Sequence, residues 1–383
     1  MKSNYRSVYT AFDPYPSYKG SSIHIEKITE VLSHAYGKTL LLTLTRQTRK
    51  KKNKQIKQLT FSAENKNFLE RGLAYSSWVE EQLNKQCHLE VGHFRDIWGG
   101  LAIIKHPHMT SVFEVNGLPS IELLDRYSSI PASTIQKFKA LEDHCLHKCD
   151  AIICPSETIK RHIISRGVIA SKITIVPNGA YPIEDYKKRH SPIKGKYIVY
   201  FGALQPWQGI NVLLKAMQYL ADMPELKLVI CSSHKEKHSR VYQKMSRKLG
   251  VEQQLVWKHK TPKKELFSII HEAQASIVPL TECARNLDQG CSPLKIFESM
   301  ACHAPIIASD LPVVREILTP DVEVKLIRPE RPAELARAIR LLVDYPDFAK
   351  EIAQNAHQKF LDFYTWEKIK NQYSEFYEKS IIF

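Results

Sequence analysis

Short runs of apolar, often β-branched residues alternate along the first half of the chain with longer stretches whose apolar positions recur at helical spacing. The short runs predict strands and the amphipathic stretches predict helices. The predicted strands cover residues 7–11, 40–45, 88–94, 111–115, 151–154 and 173–176, and the predicted helices cover residues 21–35, 65–85, 99–105, 133–148 and 157–165. Strands that are separated by helices indicate a parallel sheet covered on both faces.

The alternation pauses after the turn signal Asn178-Gly179, because residues 181–196 are polar, basic and contain proline. Such a segment is typical of an interdomain linker. A second series then follows, with strands predicted over residues 197–201, 226–231, 254–257, 275–280, 305–308 and 323–327 and helices over 210–221, 239–249, 264–271, 294–300 and 333–343. Two series predict an α/β protein with two Rossmann-like domains, residues 1–180 and 197–360, and a cleft that receives the loops at the carboxyl ends of the strands.

Composition agrees with this organisation. A length of 383 residues is that of two ordinary domains, and an apolar fraction of 43% is that of a globular chain. No apolar run approaches the roughly 20 residues that cross a bilayer, and the first residues contain no signal-peptide core. We therefore expect a cytoplasmic protein.

The eight cysteines are scattered along the chain. Cys145 and Cys149 stand four residues apart on a predicted helix, beside His144 and His147. This spacing permits a metal site, but it more commonly reflects two small buried side chains on a helix. We expect no metal.

The net charge of +15 is concentrated in two places, a run between residues 46 and 57 and a cluster over residues 187–190. Three interpretations compete: a solvated loop, a peripheral contact with an anionic membrane, and binding of nucleic acid. The first run contains no interleaved aromatic residues, which argues against single-stranded nucleic acid. We expect no specific nucleic-acid partner.

The strongest local signal for chemistry is the segment from Gly290 to Ala301. Ser292 is a good N-cap and Pro293 a favoured first helical residue, so the free N–H groups of this helix would suit a phosphate. Lys295 in the first turn opposes the helix dipole, which hints at a bound anion. Glu298, three residues on, could accept hydrogen bonds from a ribose diol. The competing interpretation is an ordinary capped amphipathic helix.

In the first domain, polar residues stand at the ends of predicted strands. Arg95 and Asp96 end one strand, and they could pair with each other or face the cleft. Glu114, followed by Asn116, ends the next strand among apolar neighbours, where a buried carboxylate needs a partner. Gly20 opens the first helix, where it either lets the backbone approach a ligand or forms a tight turn. We predict that this domain supplies the acceptor side, through Arg95, Asp96 and Asn116, and part of the reacting centre.

Several short motifs occur in order over nearly the whole chain. They are Tyr15-Pro16, Lys19-Gly20-Ser21-Ser22 and His24; Cys154-Pro155-Ser156; Ile175-Val176-Pro177-Asn178-Gly179; Phe201-Gly202-Ala203-Leu204-Gln205-Pro206-Trp207-Gln208-Gly209; and Ser292-Pro293-Leu294-Lys295, Glu298, Met300-Ala301 and Pro305-Ile306-Ile307-Ala308-Ser309-Asp310. Together they resemble the retaining, nucleotide-sugar-dependent glycosyltransferases of family 4, which have the GT-B arrangement. The combined order is far more specific than any single motif.

The resemblance implies roles for individual residues. Lys295 would bind the donor diphosphate, Glu298 the nucleotide ribose, and Leu294 with the helix N-terminus would add backbone contacts. Glu114 lies where the family places a polar group beside the sugar. The remaining predicted donor-binding residues are Gly20, Gly202, Gln208 and Ser292.

The chain departs from the family pattern at three places. The family has two glutamates separated by seven residues, of which the first touches the donor sugar, but here Gly290 stands at that position and Asp288 is out of register. Ala203 and Gln208 stand where the first loop of the second domain often carries arginine and lysine. His303 replaces a common glycine. We therefore expect Lys295 to be the main cation on the phosphates, with Gln208 as a weaker hydrogen-bond donor.

The resemblance implies transfer of a hexose from a nucleoside diphosphate sugar, with retention, to a glycan, lipid-linked or small-molecule acceptor. The predicted catalytic residues are Glu114, Lys295 and Glu298. No cofactor is expected, since a helix and a lysine can hold the diphosphate without a metal. Residues 361–383 would form a helix that returns to the first domain. The alternative, motivated by the departures, is a non-catalytic homologue that binds glycan or sugar nucleotide at a membrane surface.

Overall fold

The computed structural model describes residues 5–17, 20–45, 53–62, 67–106, 108–127, 129–183 and 190–380. The chain divides into two compact units, the first formed by Met1–Pro177 with Glu367–Phe383 and the second by Asn178–Trp366. Each unit contains one parallel sheet with helices around it. The predicted α/β class with two Rossmann-like domains is confirmed.

The sheet of the first unit has seven strands in the order β3-β2-β1-β4-β5-β6-β7, and neighbouring strands are parallel. The strands are β1 (Ser7–Pro14), β2 (Thr39–Leu44), β3 (Ile56–Phe61), β4 (Val91–Phe94), β5 (Thr110–Glu114), β6 (Ala151–Cys154) and β7 (Ile173–Ile175). The helices are α1 (Ser21–Tyr36), α2 (Phe68–Asn84), α3 (Ile97–Ile103), α4 (Pro119–Arg126), α5 (Ala132–Lys148) and α6 (Glu157–Ser165). The strand order reverses direction between β1 and β4, so the connections after these two strands pass to opposite faces of the sheet and leave a crevice at its carboxyl edge.

The sheet of the second unit has six parallel strands in the order β10-β9-β8-β11-β12-β13. They are β8 (Tyr197–Gly202), β9 (Lys227–Ser232), β10 (Leu255–His259), β11 (Ala275–Val278), β12 (Ile306–Ser309) and β13 (Lys325–Ile327). The helices are α7 (Ile210–Gln218), α8 (Arg240–Lys248), α9 (Lys263–His271), α10 (Leu294–Ala301), α11 (Pro312–Arg315), α12 (Pro332–Asp344) and α13 (Pro346–Phe363). Here the order reverses between β8 and β11, which is where open α/β sheets bind ligands.

The last helix, α14 (Trp366–Ser380), lies almost entirely in the first unit. It is separate from α13 because the helix is interrupted at Tyr364 and Thr365, and Thr365 forms a β-bridge with Ala180. Its aromatic residues Trp366, Tyr373, Phe376 and Tyr377 are all at least 96% buried, as their helical spacing indicates. By contrast, Phe363 at the end of α13 is 57% exposed.

Two elements of the first unit were not predicted from the sequence. They are the strand β3, whose first residues belong to the basic run, and the helix α4. β3 borders only β2 and is nowhere fully buried, and polar residues at 57, 58 and 60 interrupt its apolar residues without a regular period, which weakens the signal. Residues 46–52 and 184–189, which carry most of the two basic clusters, lie outside the described residues.

Cys145 and Cys149 belong to the apolar core of the first unit, where both are fully buried. Within the described ranges, no group of three or more His, Cys, Asp or Glu side chains has the geometry to hold a metal ion. In the same ranges, no helix combines the length and apolar character needed to span a membrane.

Candidate functional site

In the second unit, three of the predicted donor-binding residues converge at the point where the strand order reverses. The Lys295 ammonium donates a hydrogen bond to Oε1 of Gln208, in the loop after β8. It lies 4.9 Å from the ring centroid of Tyr200. A Cβ atom placed on Gly202 would be 3.3 Å from Nζ of Lys295. The first turn of α10 and the end of β8 therefore meet around one ammonium group.

Gln208 accepts this hydrogen bond through its carbonyl oxygen, and its predicted role as a donor to the diphosphate stays a prediction. Its amide NH₂ points away from this contact and remains a donor for a ligand. The loop ends at Gly209, whose φ of +71° is in the left-handed region. A Cβ atom on Gly209 would lie 1.6 Å from the carbonyl oxygen of Pro279. This close approach holds the loop after β8 against the loop after β11.

Burial lowers the pKa of Lys295 to about 8, with the charge of Glu298 opposing the shift and that of Arg285 adding to it. Burial also raises the pKa of Glu298 to about 7, against the charges of Lys263 and Lys295. In the part of the chain that the structure describes, the Glu298 carboxylate accepts no hydrogen bond. A half-buried carboxylate of this kind is well suited to a hydroxyl donor.

The start of α10 differs from the sequence expectation. Ser292 was predicted to be the N-cap, but the helix begins at Leu294 and Pro293 occupies the N-cap position with extended backbone angles. Ser292 is engaged elsewhere, because its hydroxyl accepts from the backbone N–H of Asn178 at 3.2 Å and its carbonyl accepts from Asn178 Nδ2 at 2.6 Å. The proline side chain has no hydrogen-bond acceptor, so the N-cap residue does not cap the first N–H groups of α10.

A functional candidate that sequence reasoning missed lies just before α10, in a π-helical turn over Arg285–Gln289. The Arg285 guanidinium lies 5.1 Å from the ring centroid of Trp207, the residue that precedes Gln208. Asp288 of the same turn is exposed, and Gly290 has φ +80°. The only sequence signal was a lone arginine in a segment without a predicted element.

His303, noted above as a replacement for glycine, follows α10 with φ +53°. This left-handed conformation at a helix C-terminus is the reason that glycine is common there. The ring of His303 stacks on that of His357, with 3.3 Å between centroids.

In the first unit, Glu114 lies at the carboxyl end of β5 at the centre of a buried polar cluster, and its side chain is 2% exposed. Oε1 accepts hydrogen bonds from Arg95 Nη1 and Asn116 Nδ2, each at 2.5 Å, and lies 3.5 Å from His24 Nδ1. Oε2 accepts from the Tyr9 hydroxyl at 2.6 Å. The two carboxylate oxygens are therefore well supplied with donors from separate segments.

A histidine extends this cluster to the last helix. His93 Nε2 lies 3.3 Å from Oε2 of Glu114, and its Nδ1 lies 2.6 Å from the Tyr377 hydroxyl. Because a carboxylate only accepts, the His93 proton is on Nε2 and Nδ1 accepts from Tyr377. The α14 helix thus helps to orient the cluster.

Electrostatics keep Glu114 ionised. Burial alone would raise its pKa, but the Arg95 charge, together with the adjacent His24 and His93 imidazoles, holds it well below its ordinary value. The pKa of Arg95 is raised, because the attraction of Glu114 outweighs the effect of burial. An anion with so low a pKa is a poor general base, and the arrangement instead fixes Arg95 and Asn116.

Of the two alternatives for Arg95 and Asp96, pairing with each other is not what the structure shows. Arg95 pairs with Glu114, whereas Asp96 is the N-cap of α3, where Oδ1 accepts from the N–H groups of Trp98 and Gly99 at 3.1 and 3.0 Å. Burial raises the pKa of Asp96 to about 6, against these backbone hydrogen bonds. The two side chains diverge because the strand-to-helix turn needs a cap and the buried carboxylate needs a cation.

Gly20 precedes α1 at its N-cap position, with φ −57° and ψ −33°. These are ordinary helical angles, so this position does not require glycine for its backbone conformation. Residues 18 and 19, which belong to the same predicted loop, lie outside the described residues.

Family models match nearly the whole chain in two adjoining segments. Residues 18–182 match the model described as Glycosyltransferase Family 4, and residues 183–359 match that described as Glycosyl transferases group 1. The chain belongs to glycosyltransferase family 4.

Curated relatives of this family 4 member include the MMP alpha-(1->4)-mannosyltransferase of Mycolicibacterium hassiacum, 24% identical over 56% of this chain and 50% of the relative. The O-antigen chain mannosyltransferase RfbU of Salmonella typhimurium is 25% identical over 57% of this chain and 58% of the relative. The chain thus spans about half the length of the curated relatives it matches.

Solved structures with the same fold align with the family 4 chain over nearly its full length. Sucrose-phosphate synthase from Thermosynechococcus elongatus has a TM-score of 0.80 at 16% identity, with 98% of this chain and 99% of that chain covered. Anabaena Alr3699/HepE, solved in complex with UDP-glucose, has a TM-score of 0.74 at 14% identity, with 97% and 99% covered. These neighbours establish the GT-B type of fold.

Proposed function

We propose that this chain transfers a hexose from a nucleoside diphosphate sugar to a glycan, lipid-linked or small-molecule acceptor, with retention at the anomeric carbon. The observation that carries the proposal is the meeting of Lys295, Gln208 and Gly202 where the strand order of the second unit reverses. A buried ammonium beside a glycine and an uncapped helix N-terminus is suited to a diphosphate.

The chemistry follows from the charge that develops on the leaving diphosphate. With a pKa of about 8, Lys295 is mostly protonated at neutral pH and can stabilise that charge from a fixed position. The dipole at the start of α10 acts in the same direction. Glu298, whose carboxylate lies one turn further along α10, would accept from the ribose hydroxyls.

In the first unit, we assign the sugar and acceptor side to Arg95 and Asn116, which Glu114 holds in place. Glu114 itself is saturated with donors, so its contribution is to position these two side chains. Asp96 caps α3, and we withdraw it from the substrate-contacting residues. Gly20 stays a candidate for close approach of the donor.

The relatives support the substrate class. Two of the curated relatives are named mannosyltransferases, and the solved Anabaena neighbour holds UDP-glucose. We propose a nucleoside diphosphate hexose as donor, with no cofactor or metal.

The proposal is tested first by thermal unfolding in the presence of the common nucleoside diphosphate sugars, because a bound donor raises the midpoint by mass action. With the donor so found, release of nucleoside diphosphate is then measured. Lys295→Ala and Glu298→Ala are expected to lower this rate by roughly tenfold to a thousandfold. Lys248→Ala, on the exposed last turn of α8, is the matched control.

Unchanged rates in both site variants would show that the site assignment is wrong. A wild-type protein that binds a donor tightly but releases no nucleoside diphosphate, with or without added acceptor, would instead be the non-catalytic homologue.

A further inference from the structure

The turn that precedes α10 is fixed against the loop after β8. Asn286, which is fully buried, donates from Nδ2 to the carbonyl oxygens of Trp207 at 3.0 Å and Thr281 at 2.8 Å. The neighbouring Arg285 lies over the Trp207 ring, and its Nη1 donates to Asn286 Oδ1 at 3.3 Å. Arg285 is therefore held beside the loop that ends in Gln208.

Arg285 and Lys295 contact adjacent residues of the loop after β8, because Arg285 lies over the Trp207 ring and Lys295 donates to Gln208. In agreement with this placement, the charges of both Arg285 and Lys295 oppose the rise that burial causes in the pKa of the Cys291 thiol. The charge of Arg285 likewise lowers the pKa of Lys295. Two cations are thus brought towards one place from different segments, the π-helical turn and the first turn of α10.

This proximity is unfavourable in the free protein, because like charges repel strongly where water is excluded. The hydrogen-bond acceptor of Lys295 is the neutral Gln208, which does not neutralise it. A ligand with two negative charges between Arg285 and Lys295 would turn the repulsion into attraction. The diphosphate of a sugar nucleotide has this charge.

We propose that Arg285 is the second cation of the diphosphate site, reaching it from the π-helical turn ahead of α10 across the face of Trp207. It takes the place of the cations missing at Ala203 and Gln208 in the loop after β8. The guanidinium offers several donors in a plane, which suits paired phosphate oxygens. This inference rests on the proposed function and names a binding residue for it.

The test compares Arg285→Met and Arg285→Lys with the wild type in calorimetric titrations with UDP, GDP, uridine and guanosine. Arg247→Met is the matched control, because Arg247 is 61% exposed at the end of α8, where the chain has run back toward the amino ends of the strands. Arg285→Met is expected to weaken binding of the preferred diphosphate by roughly tenfold to a hundredfold. Nucleoside binding should change less than about twofold, and Arg285→Lys should recover part of the loss.

A second readout separates binding from support of the fold. Removing Arg285 removes a charge that lowers the pKa of Lys295, so the loss of diphosphate affinity at high pH should begin at a higher pH in Arg285→Met. A residue that only supports the fold, without its charge acting on Lys295, would leave the pH at which diphosphate affinity is lost unchanged.

Three results would overturn the inference. If Arg285→Met binds the diphosphate as Arg247→Met does, Arg285 is not in the site. If it loses diphosphate and nucleoside equally, with the high-pH limb unmoved, its role is structural. If the wild type binds neither UDP nor GDP, nor any other common nucleoside diphosphate, the proposed function fails and the inference with it.

Discussion

At the scale of single residues, the proposed donor site depends on two groups whose pKa values are displaced towards each other. Burial lowers the pKa of Lys295 to about 8 and raises that of Glu298 to about 7. Each group has the charge suited to its ligand only on one side of its pKa: Lys295 below it and Glu298 above it. Donor binding should therefore be sensitive to pH near neutrality.

The affinity for a nucleoside diphosphate sugar, whose phosphates do not titrate in this range, is expected to be greatest between about pH 7 and 8. It should fall below that window as Glu298 gains a proton and above it as Lys295 loses one, by up to about tenfold per pH unit. Calorimetric titration from pH 5.5 to 9.5 measures this.

The site variants assign the two limbs. In Glu298→Gln, donor affinity should no longer fall on the acidic side of the pH profile. In Lys295→Met, it should no longer fall on the basic side. A basic limb that persists in Lys295→Met would show that another group controls it.

The Glu114 cluster gives a second prediction at the residue scale. Glu114→Gln would leave Arg95 buried without its counter-ion, so the first unit should lose roughly 3–5 kcal/mol of stability. Glu90→Gln is the control, because Glu90 pairs with Arg6 where the side chains are 35% and 53% exposed and such pairs contribute at most about 1 kcal/mol. Chemical unfolding followed by hydrogen exchange in the first unit measures both, and equal small losses would contradict the account of the cluster.

Residue-level chemistry was only partly predictable. A buried Glu114 predicts that a partner exists, but its donors come from β1, α1, β4 and the segments after β4 and β5, and only the fold brings them together. Ser292 matches an N-cap pattern, yet its hydroxyl and carbonyl oxygens accept hydrogen bonds from Asn178, which is distant in sequence. Long-range hydrogen bonds of this kind leave no local signal.

At the scale of elements, the loop after β8 is held in place by the close packing at Gly209. Gly209 and Gly250 have nearly the same φ, +71° and +70°, but a Cβ atom would meet the Pro279 carbonyl at the first and nothing within 4 Å at the second. Alanine substitutions at these two glycines therefore separate the free-energy cost of a left-handed backbone from the cost of a steric clash.

Gly250→Ala is expected to cost roughly 1 kcal/mol, the penalty of an alanine in the left-handed region. Gly209→Ala should cost clearly more, roughly 3 kcal/mol or above, because the Pro279 backbone must move as well. It should also lower donor affinity by displacing Gln208. Hydrogen exchange in the second unit measures the local stability, and equal costs at the two sites would contradict the packing described here.

Element prediction succeeded where the pattern was strong and local. The buried runs of β-branched residues in β6 and β11 are clear strands, whereas the half-buried edge strand β3 is not. The π-helical turn that presents Arg285 was also missed, because such turns have no sequence period and its position depends on Trp207 and Asn286.

At the scale of the whole molecule, two parallel sheets with helices around them supply loops of different chemistry. The second unit presents Lys295 and Arg285, which suit a diphosphate, and the first presents a buried anion that orients Arg95 and Asn116. The proposed roles, donor binding in the second unit and the acceptor side in the first, agree with membership of glycosyltransferase family 4.

The proposed function requires the second unit to hold the donor diphosphate between the end of β8 and the start of α10. Hydrogen exchange with and without a saturating nucleoside diphosphate measures this, because bound phosphate oxygens engage free N–H groups and slow their exchange. We predict the strongest protection at residues 202–209 and 294–298, lost in Lys295→Met. Unchanged exchange in both segments under conditions where the ligand is bound, or protection that survives in Lys295→Met, would contradict the account.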